Sequence, residues 1–161
     1  MIRPARLSDA AAVAEIYNPY MSTIITFEVE PVAPAEIARR MKEVAAERLP
    51  WLVAEEKGTV VGYAYASKWK GRCAYQYTVE AGIYLAEGHH GRGIGKRLYK
   101  RLLAALKRRG LHAVLGGIAL PNRASVALHE SLGFRKVGRM KQVGWKLGRW
   151  IDVGYWEKLL P

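Results

Sequence analysis

The run Ile83-Tyr84-Leu85-Ala86-Glu87-Gly88-His89-His90-Gly91-Arg92-Gly93-Ile94-Gly95-Lys96 decides how the rest of this chain is read. An alternating apolar strand ends near Leu85, glycines follow at 88, 91, 93 and 95, and a helix opens at once. Glycines let the backbone turn tightly and approach a ligand, while the free N–H groups and positive dipole end of a helix attract phosphate. This order of elements predicts an anion site. Ile94, Leu98, Leu102 and Leu106 recur every four residues, with Tyr99 and Leu103 widening the stripe, so the helix buries one face. Its other face carries Lys96, Arg97, Lys100, Arg101, Lys107, Arg108 and Arg109, which reads either as a solvated surface or as a seat for a polyanion. Neither G-x-G-x-x-G nor G-x-x-x-x-G-K-[ST] is satisfied, so the loop alone names no ligand.

Outward from this stretch, the 161 residues are enough for one domain, residues 1–161, with a core that needs no metal or disulfide staple. The one cysteine, Cys73, has no internal partner, and no Cys/His cluster shows metal-ligand spacing. A reducing cytoplasm and no bound metal are therefore expected. No basic-then-apolar leader and no apolar run long enough to span a bilayer is present, so no membrane partner is expected. The net charge of +12 admits nucleic acid, a membrane surface or a small phosphate-rich ligand, and does not choose among them.

Residues 2–7 read as a short strand, and Ser8-Asp9 cap a helix bearing Val13, Ile16 and Tyr17 that Pro19 disturbs. Thr23 to Glu30 is a loop or short extended piece able to line a site. Pro34 starts a second helix with Ile37, Met41 and Val44 on one face. Strands at 51–55 and 59–69 join at Glu56-Lys57-Gly58, and a charged, aromatic segment over 70–77 leads into the strand 78–85. Beyond the basic helix come a strand at 113–120, a short helix at 125–133 closed by Gly133, and a hairpin of 134–145 with 150–159. This alternation predicts an α/β or α+β single domain.

Val79-Glu80-Ala81-Gly82-Ile83-Tyr84-Leu85, the loop His90-Gly91-Arg92-Gly93-Ile94-Gly95, Pro121-Asn122-Arg123-Ala124-Ser125 and Leu128-His129-Glu130-Ser131-Leu132-Gly133-Phe134 together resemble the GCN5-related N-acetyltransferase (GNAT) superfamily. Thr26-Phe27-Glu28, Trp69-Lys70-Gly71-Arg72 with Tyr75, Thr78-Val79-Glu80 and the Gly144–Trp156 ending are similar to its phosphinothricin and methionine sulfoximine acetyltransferase branch. The loop departs from the family pattern at one place, where His90 replaces the usual Gln or Arg. The resemblance implies a central mixed, mostly antiparallel twisted sheet flanked by helices, a homodimer to which the Trp-rich C-terminal hairpin contributes, and acetyl-CoA as cosubstrate. It implies that Ile83, Tyr84 and Leu85 hold the pantetheine and acetyl group through the backbone. The pyrophosphate falls to the N–H groups of the loop from His90 and Gly91 through Arg92, Gly93, Ile94 and Gly95 to Lys96, with Asn122 and Ser125 completing the coenzyme site. Asn122 also reads as a turn residue after Pro121.

Acetyl transfer needs a deprotonated amine, a polarised thioester and a proton for the departing thiolate. Glu80, a carboxylate inside an otherwise uncharged strand, reads as the general base or as a solvent-facing residue. His129 is open as acid, base or packing residue. By resemblance Lys70, Arg72 and Tyr75 grip an anionic group of a small-molecule amine, unless they form a solvated loop, and Phe27 packs on its stem or on the core. Another acceptor, such as a protein N-terminus, a lysine or a polyamine, keeps the same fold. A basic nucleic-acid-binding module is the reading from another class, and it lacks base-reading or stacking residues on the 96–109 helix, so no nucleic-acid partner is expected.

Overall fold

In a computed structural model that describes Met1–Pro161, the chain forms one seven-stranded sheet in the order β1-β2-β3-β4-β5-β7-β6. The strands are β1 (Ile2–Pro4), β2 (Trp51–Glu56), β3 (Thr59–Lys68), β4 (Thr78–Leu85), β5 (Ala113–Ala119), β6 (Arg135–Lys146) and β7 (Arg149–Leu159). Only the β4–β5 pair is parallel. Two hairpin turns, Lys57-Gly58 and Leu147-Gly148, place both central residues at positive φ, the conformation that matches the twist of their strands. The mixed, mostly antiparallel sheet is the one expected.

The helices α1 (Ala10–Tyr17), α2 (Pro34–Ala46), α3 (Ile94–Arg108) and α4 (Arg123–Ser131) cover its two faces. Because alternate residues of a strand point to opposite sides, β2 and β3 send Trp51, Val53 and Tyr63 to α1 and α2, and Leu52, Ala54, Val61, Ala64 and Ala66 to α3. Helix α3 delivers Leu98, Leu102 and Leu106, all fully buried, to that second core. Each such leucine contributes about 1.5–3 kcal/mol by burial, so Leu102→Ala would cost about 2–5 kcal/mol. The basic residues of the same helix from Lys96 to Arg108 lie on the solvent side.

The helix ends have three local causes, the first of them expected. Pro19 converts the end of the first helix into a 3-10 turn over Asn18–Ser22, since it cannot continue the α-helical hydrogen-bond ladder. The fourth helix starts at Arg123, earlier than expected, because the Asn122 side chain caps it by accepting from the Ser125 N–H at 3.1 Å. Asp9 reaches back to the Arg6 N–H and to the Arg3 guanidinium, so its carboxylate holds β1 to the first helical turn.

Candidate active site

The β4–β5 pairing lasts for three residue pairs and ends at Glu80 opposite Leu115. Beyond that point β4 keeps only β3 as a partner, the two strands part, and a cleft of about 480 Å³ opens between the far half of β4 and α4. Ile83, Tyr84, Leu85, His90, Gly91, Gly93, Gly95, Lys96, Asn122 and Ser125 line it, with Ala124, Ala127 and Ser131 giving α4 a shallow wall. Tyr20, which follows the 3-10 proline, donates its O–H to the Leu85 carbonyl at 2.6 Å and lies 3.1 Å from the His90 ring.

The floor of the cleft is a cradle for an anion. None of the backbone N–H groups from His90 to Lys96 is given to a protein acceptor, and the left-handed Gly91 and Gly93 (φ +72° and +73°) aim successive amides along the start of α3. A side chain at either glycine would be strained. Arg92 and Ile94 take part by backbone alone, since the Arg92 guanidinium pairs with Glu56 at 3.2 Å and the Ile94 side chain is buried in the core. Asn122 spends its side-chain oxygen on the helix cap and keeps its amide N–H groups for the cleft.

Glu80 sits where the strands part. Val79 and Ala81 point into the α3 core, so Glu80 points to the opposite face of the sheet. Burial pushes its carboxyl above the ordinary 4.5, with no cation or hydrogen bond to offset the desolvation. The glycines Gly82 and Gly117 leave room around it. A Cβ at 82 would strike the Tyr65 ring at 2.8 Å, and one at 117 would stand 3.0 Å from Glu80 Oε1 and 3.2 Å from the Tyr155 ring. Tyr155 also meets Trp69 edge-to-face at 5.5 Å, and the Lys70 ammonium lies 5.3 Å from the centre of the Trp69 ring. The structure thus brings Glu80, Tyr155, Trp69 and Lys70 into one neighbourhood. Arg72 and Tyr75 project from the same exposed loop, Arg72 over a shallow hollow beside Glu47 and Lys68.

His129 is placed differently. It is 4 % exposed and lies on the other face of the sheet from Glu80, against Gly116, Tyr99 and Phe134. Its Nδ1 is 2.7 Å from the Ser125 carbonyl and its Nε2 3.1 Å from the Tyr99 hydroxyl. Donation to the carbonyl leaves Nε2 to accept from the phenol, so both nitrogens are engaged and burial holds the ring neutral, below its ordinary 6.5. Of the three roles open to it in the sequence, this geometry is that of a packing histidine.

Residues without a sequence signal hold the 23–30 loop. Tyr17 bonds Thr26 and Glu28, Arg40 grips the Glu28 carboxylate with two nitrogens, and Lys146, itself buried, donates to the carbonyls of Thr26 and Glu28 at 2.7 Å each. The Arg40 guanidinium keeps Glu28 below the usual carboxylate range. Clamped from α1, α2 and β6, the loop lays Phe27 across Gly144, where a Cβ would strike the ring at 2.5 Å. Phe27 stays 42 % exposed, so it is surface and not core.

The family model for the acetyltransferase (GNAT) domain matches residues 2–154. A phosphinothricin N-acetyltransferase of Streptomyces viridochromogenes is 43 % identical over 158 residues, covering 98 % of this chain and 86 % of that protein. An L-methionine sulfoximine/L-methionine sulfone acetyltransferase of Salmonella typhimurium is 38 % identical over 97 % of this chain and 92 % of its own. Among solved structures, a GNAT superfamily phosphinothricin acetyltransferase from Sinorhizobium meliloti in complex with acetyl-CoA superposes with a TM-score of 0.96 at 36 % identity, over 99 % of this chain and 88 % of that one.

Proposed function

This chain belongs to the GNAT acetyltransferases and is an N-acetyltransferase, and we propose that residues 1–161, as one domain, acetylate the α-amino group of a small amino acid analogue such as phosphinothricin or methionine sulfoximine. The observation that supports the mechanism is the position of Glu80, the last β4 residue paired with β5, beside the exposed Gly117 and just ahead of the unpaired stretch of β4 that lines the cleft.

Acetyl-CoA, when bound, supplies an acetyl group on a thioester. The residues of the cleft fit it: the free N–H groups from His90 to Lys96 and the start of α3 suit a pyrophosphate, and the unpaired edge of β4 at Ile83, Tyr84 and Leu85 offers a strand-like backbone to an extended amide-bearing arm. The Asn122 amide and the Ser125 hydroxyl add side-chain partners from α4. No group of His, Cys, Asp and Glu is assembled to hold a metal ion.

On the other side, Glu80 takes a proton from the acceptor ammonium, directly or through one water. Its raised pKa suits that work, because a base is most effective when its pKa lies near the operating pH. The freed amine attacks the thioester carbonyl, the carbon–nitrogen bond forms as the carbon–sulfur bond breaks, and the second proton shed by the nitrogen passes through solvent to the thiolate. Lys70, Arg72 and Tyr75 hold the anionic head of the acceptor, and Phe27 covers its aliphatic stem.

The same reading places the protein in a reducing cytoplasm, consistent with the exposed free thiol of Cys73, and pairs it as a homodimer. The C-terminal hairpin supports the latter: β6 is an unpaired sheet edge, and Val143, Trp145 and Trp150 stand on its surface more than half exposed.

A thiol-release assay with acetyl-CoA tests the reading across both analogues, ordinary amino acids, spermidine and short peptides. The analogues should be the most efficient acceptors. Peptides or spermidine turning over about tenfold more efficiently would overturn the acceptor assignment, since tenfold is about 1.4 kcal/mol of preference for the wrong transition state.

A further inference from the structure

One phenol beside Glu80 has no part in the scheme above. Tyr155 faces Gly117 across the β5–β7 ladder, with ring atoms 3.2 and 3.4 Å from where a Cβ would stand. Glu80 Oε1 is 3.0 Å from the same point. The carboxylate and the phenol therefore flank one spot above the exposed Gly117. The ring is fixed from the far side by Trp69, while its hydroxyl has no protein partner. Resting on the acetyltransferase reading, we propose that Tyr155 is an acceptor-binding residue whose O–H donates a hydrogen bond to the α-carboxylate of the amino acid while Glu80 addresses its amine.

The chemistry of an α-amino acid calls for such a group. Nitrogen and carboxylate are joined through one carbon, so an amine presented to Glu80 brings its carboxylate to the side of the same spot, where the charge of Glu80 repels it. A lysine or arginine there would relieve the repulsion, but it would also pair with Glu80 and lower its basicity. A phenol relieves it by donation and adds no charge. Burial and the nearby Glu80 both push the Tyr155 ionisation up, so the hydroxyl keeps its proton over the working range. Lys70 and Arg72 are then left for the second polar head, and Trp69 ties their loop to the phenol as one unit.

Tyr155→Phe removes one oxygen and keeps the packing on Trp69 and Gly117. Losing one hydrogen bond to a charged group should raise KM for the analogue about tenfold or more, with KM for acetyl-CoA unchanged within about twofold. An amine matched to the analogue but lacking the α-carboxylate should be used equally by both proteins. Calorimetric binding of the analogue to the CoA-loaded protein reads the same contact without turnover, and should weaken by the same factor. Unchanged KM and affinity in Tyr155→Phe, or an equal loss with the carboxylate-free amine, would overturn the assignment while leaving the acetyltransferase reading intact. A wild-type protein that neither binds nor acetylates any α-amino acid would overturn both.

Discussion

Gly116 and Gly117 are neighbours on β5, yet a methyl group added to each should have opposite consequences, because they face opposite sides of the sheet. At 116 a Cβ would lie 2.6 Å from His129 Nε2 and 2.8 Å from Cδ2, distances that no real contact tolerates. The imidazole must move, and it is tied to Ser125 and Tyr99 by two hydrogen bonds inside a packed core. Overpacking costs about 1–3 kcal/mol and a broken buried hydrogen bond about 1 more. For a chain of this length each kcal/mol moves the melting midpoint by about 2–4 °C, so Gly116→Ala should melt about 4–16 °C lower. At 117 the Cβ meets Glu80 Oε1 at 3.0 Å and the edge of the Tyr155 ring at 3.2 Å, at an exposed position where a shift of a few tenths of an ångström is asked of an unbonded carboxylate and of a ring with a free hydroxyl. Replacing a strand glycine even recovers about 0.5–1 kcal/mol of backbone entropy. Displacing a base by about 1 Å costs about a hundredfold, so a third to a half of that predicts a four- to tenfold fall in kcat for Gly117→Ala. Differential scanning fluorimetry and the thiol-release assay on the same two preparations decide it. If Gly117→Ala melts as low as Gly116→Ala, or Gly116→Ala loses turnover with its midpoint unmoved, the assignment of Glu80 and His129 to opposite faces is wrong.

Glu80→Gln should lower kcat by about a hundred- to ten-thousandfold and leave acetyl-CoA affinity in place, and the wild-type rate should fall along an acidic limb centred above the ordinary 4.5 that the variant lacks. Gly93→Val forces a β-branched residue to φ +73°, at a cost of about 1–2 kcal/mol, and should abolish the thermal shift given by acetyl-CoA while the free protein still melts cooperatively. His129 is held below its ordinary 6.5 in the fold, so the unfolded chain binds the proton first as pH drops. Its contribution is complete above pH 6.5 and is lost as pH falls from there through the lowered folded value. The melting midpoint should therefore decline below pH 6.5, and His129→Asn should flatten that slope even though its midpoint is lower throughout.

Local periodicity made the scaffold legible. The four-residue spacing from Ile94 to Leu106 marked α3, the alternation from Val79 to Leu85 marked β4, and the glycines between them marked the loop whose amides are free. What alternation cannot supply is register. That Tyr155 falls opposite Gly117, or that Lys146 reaches Thr26 across 120 positions, depends on how distant strands slide past one another. Arg40 and Glu28 likewise belong to different elements, and a charge pair of that kind leaves no pattern in either segment. The surroundings of His129 are hidden for a related reason. A short helix shows few turns from which to read its buried side, and the histidine falls on the side that meets Tyr99 and Phe134.

The parting of β4 and β5 links these features. A paired sheet is a wall, with every N–H and C=O of its strands given to a neighbour, so ligands bound on its two faces cannot react with each other. Where pairing stops after Glu80, the outer edge of β4 gives up a ladder of hydrogen bonds, and Tyr20 recovers only one of them, at the Leu85 carbonyl. A paired continuation would satisfy those groups and close the passage. The open edge is stable because β3 holds the other side of β4 as far as Leu85 and because Ile83 and Leu85 still pack on the α3 core. The strand is thus kept rigid by one neighbour while its other edge is exposed to a ligand. The last residue before the gap is Glu80, the general base of the proposed mechanism.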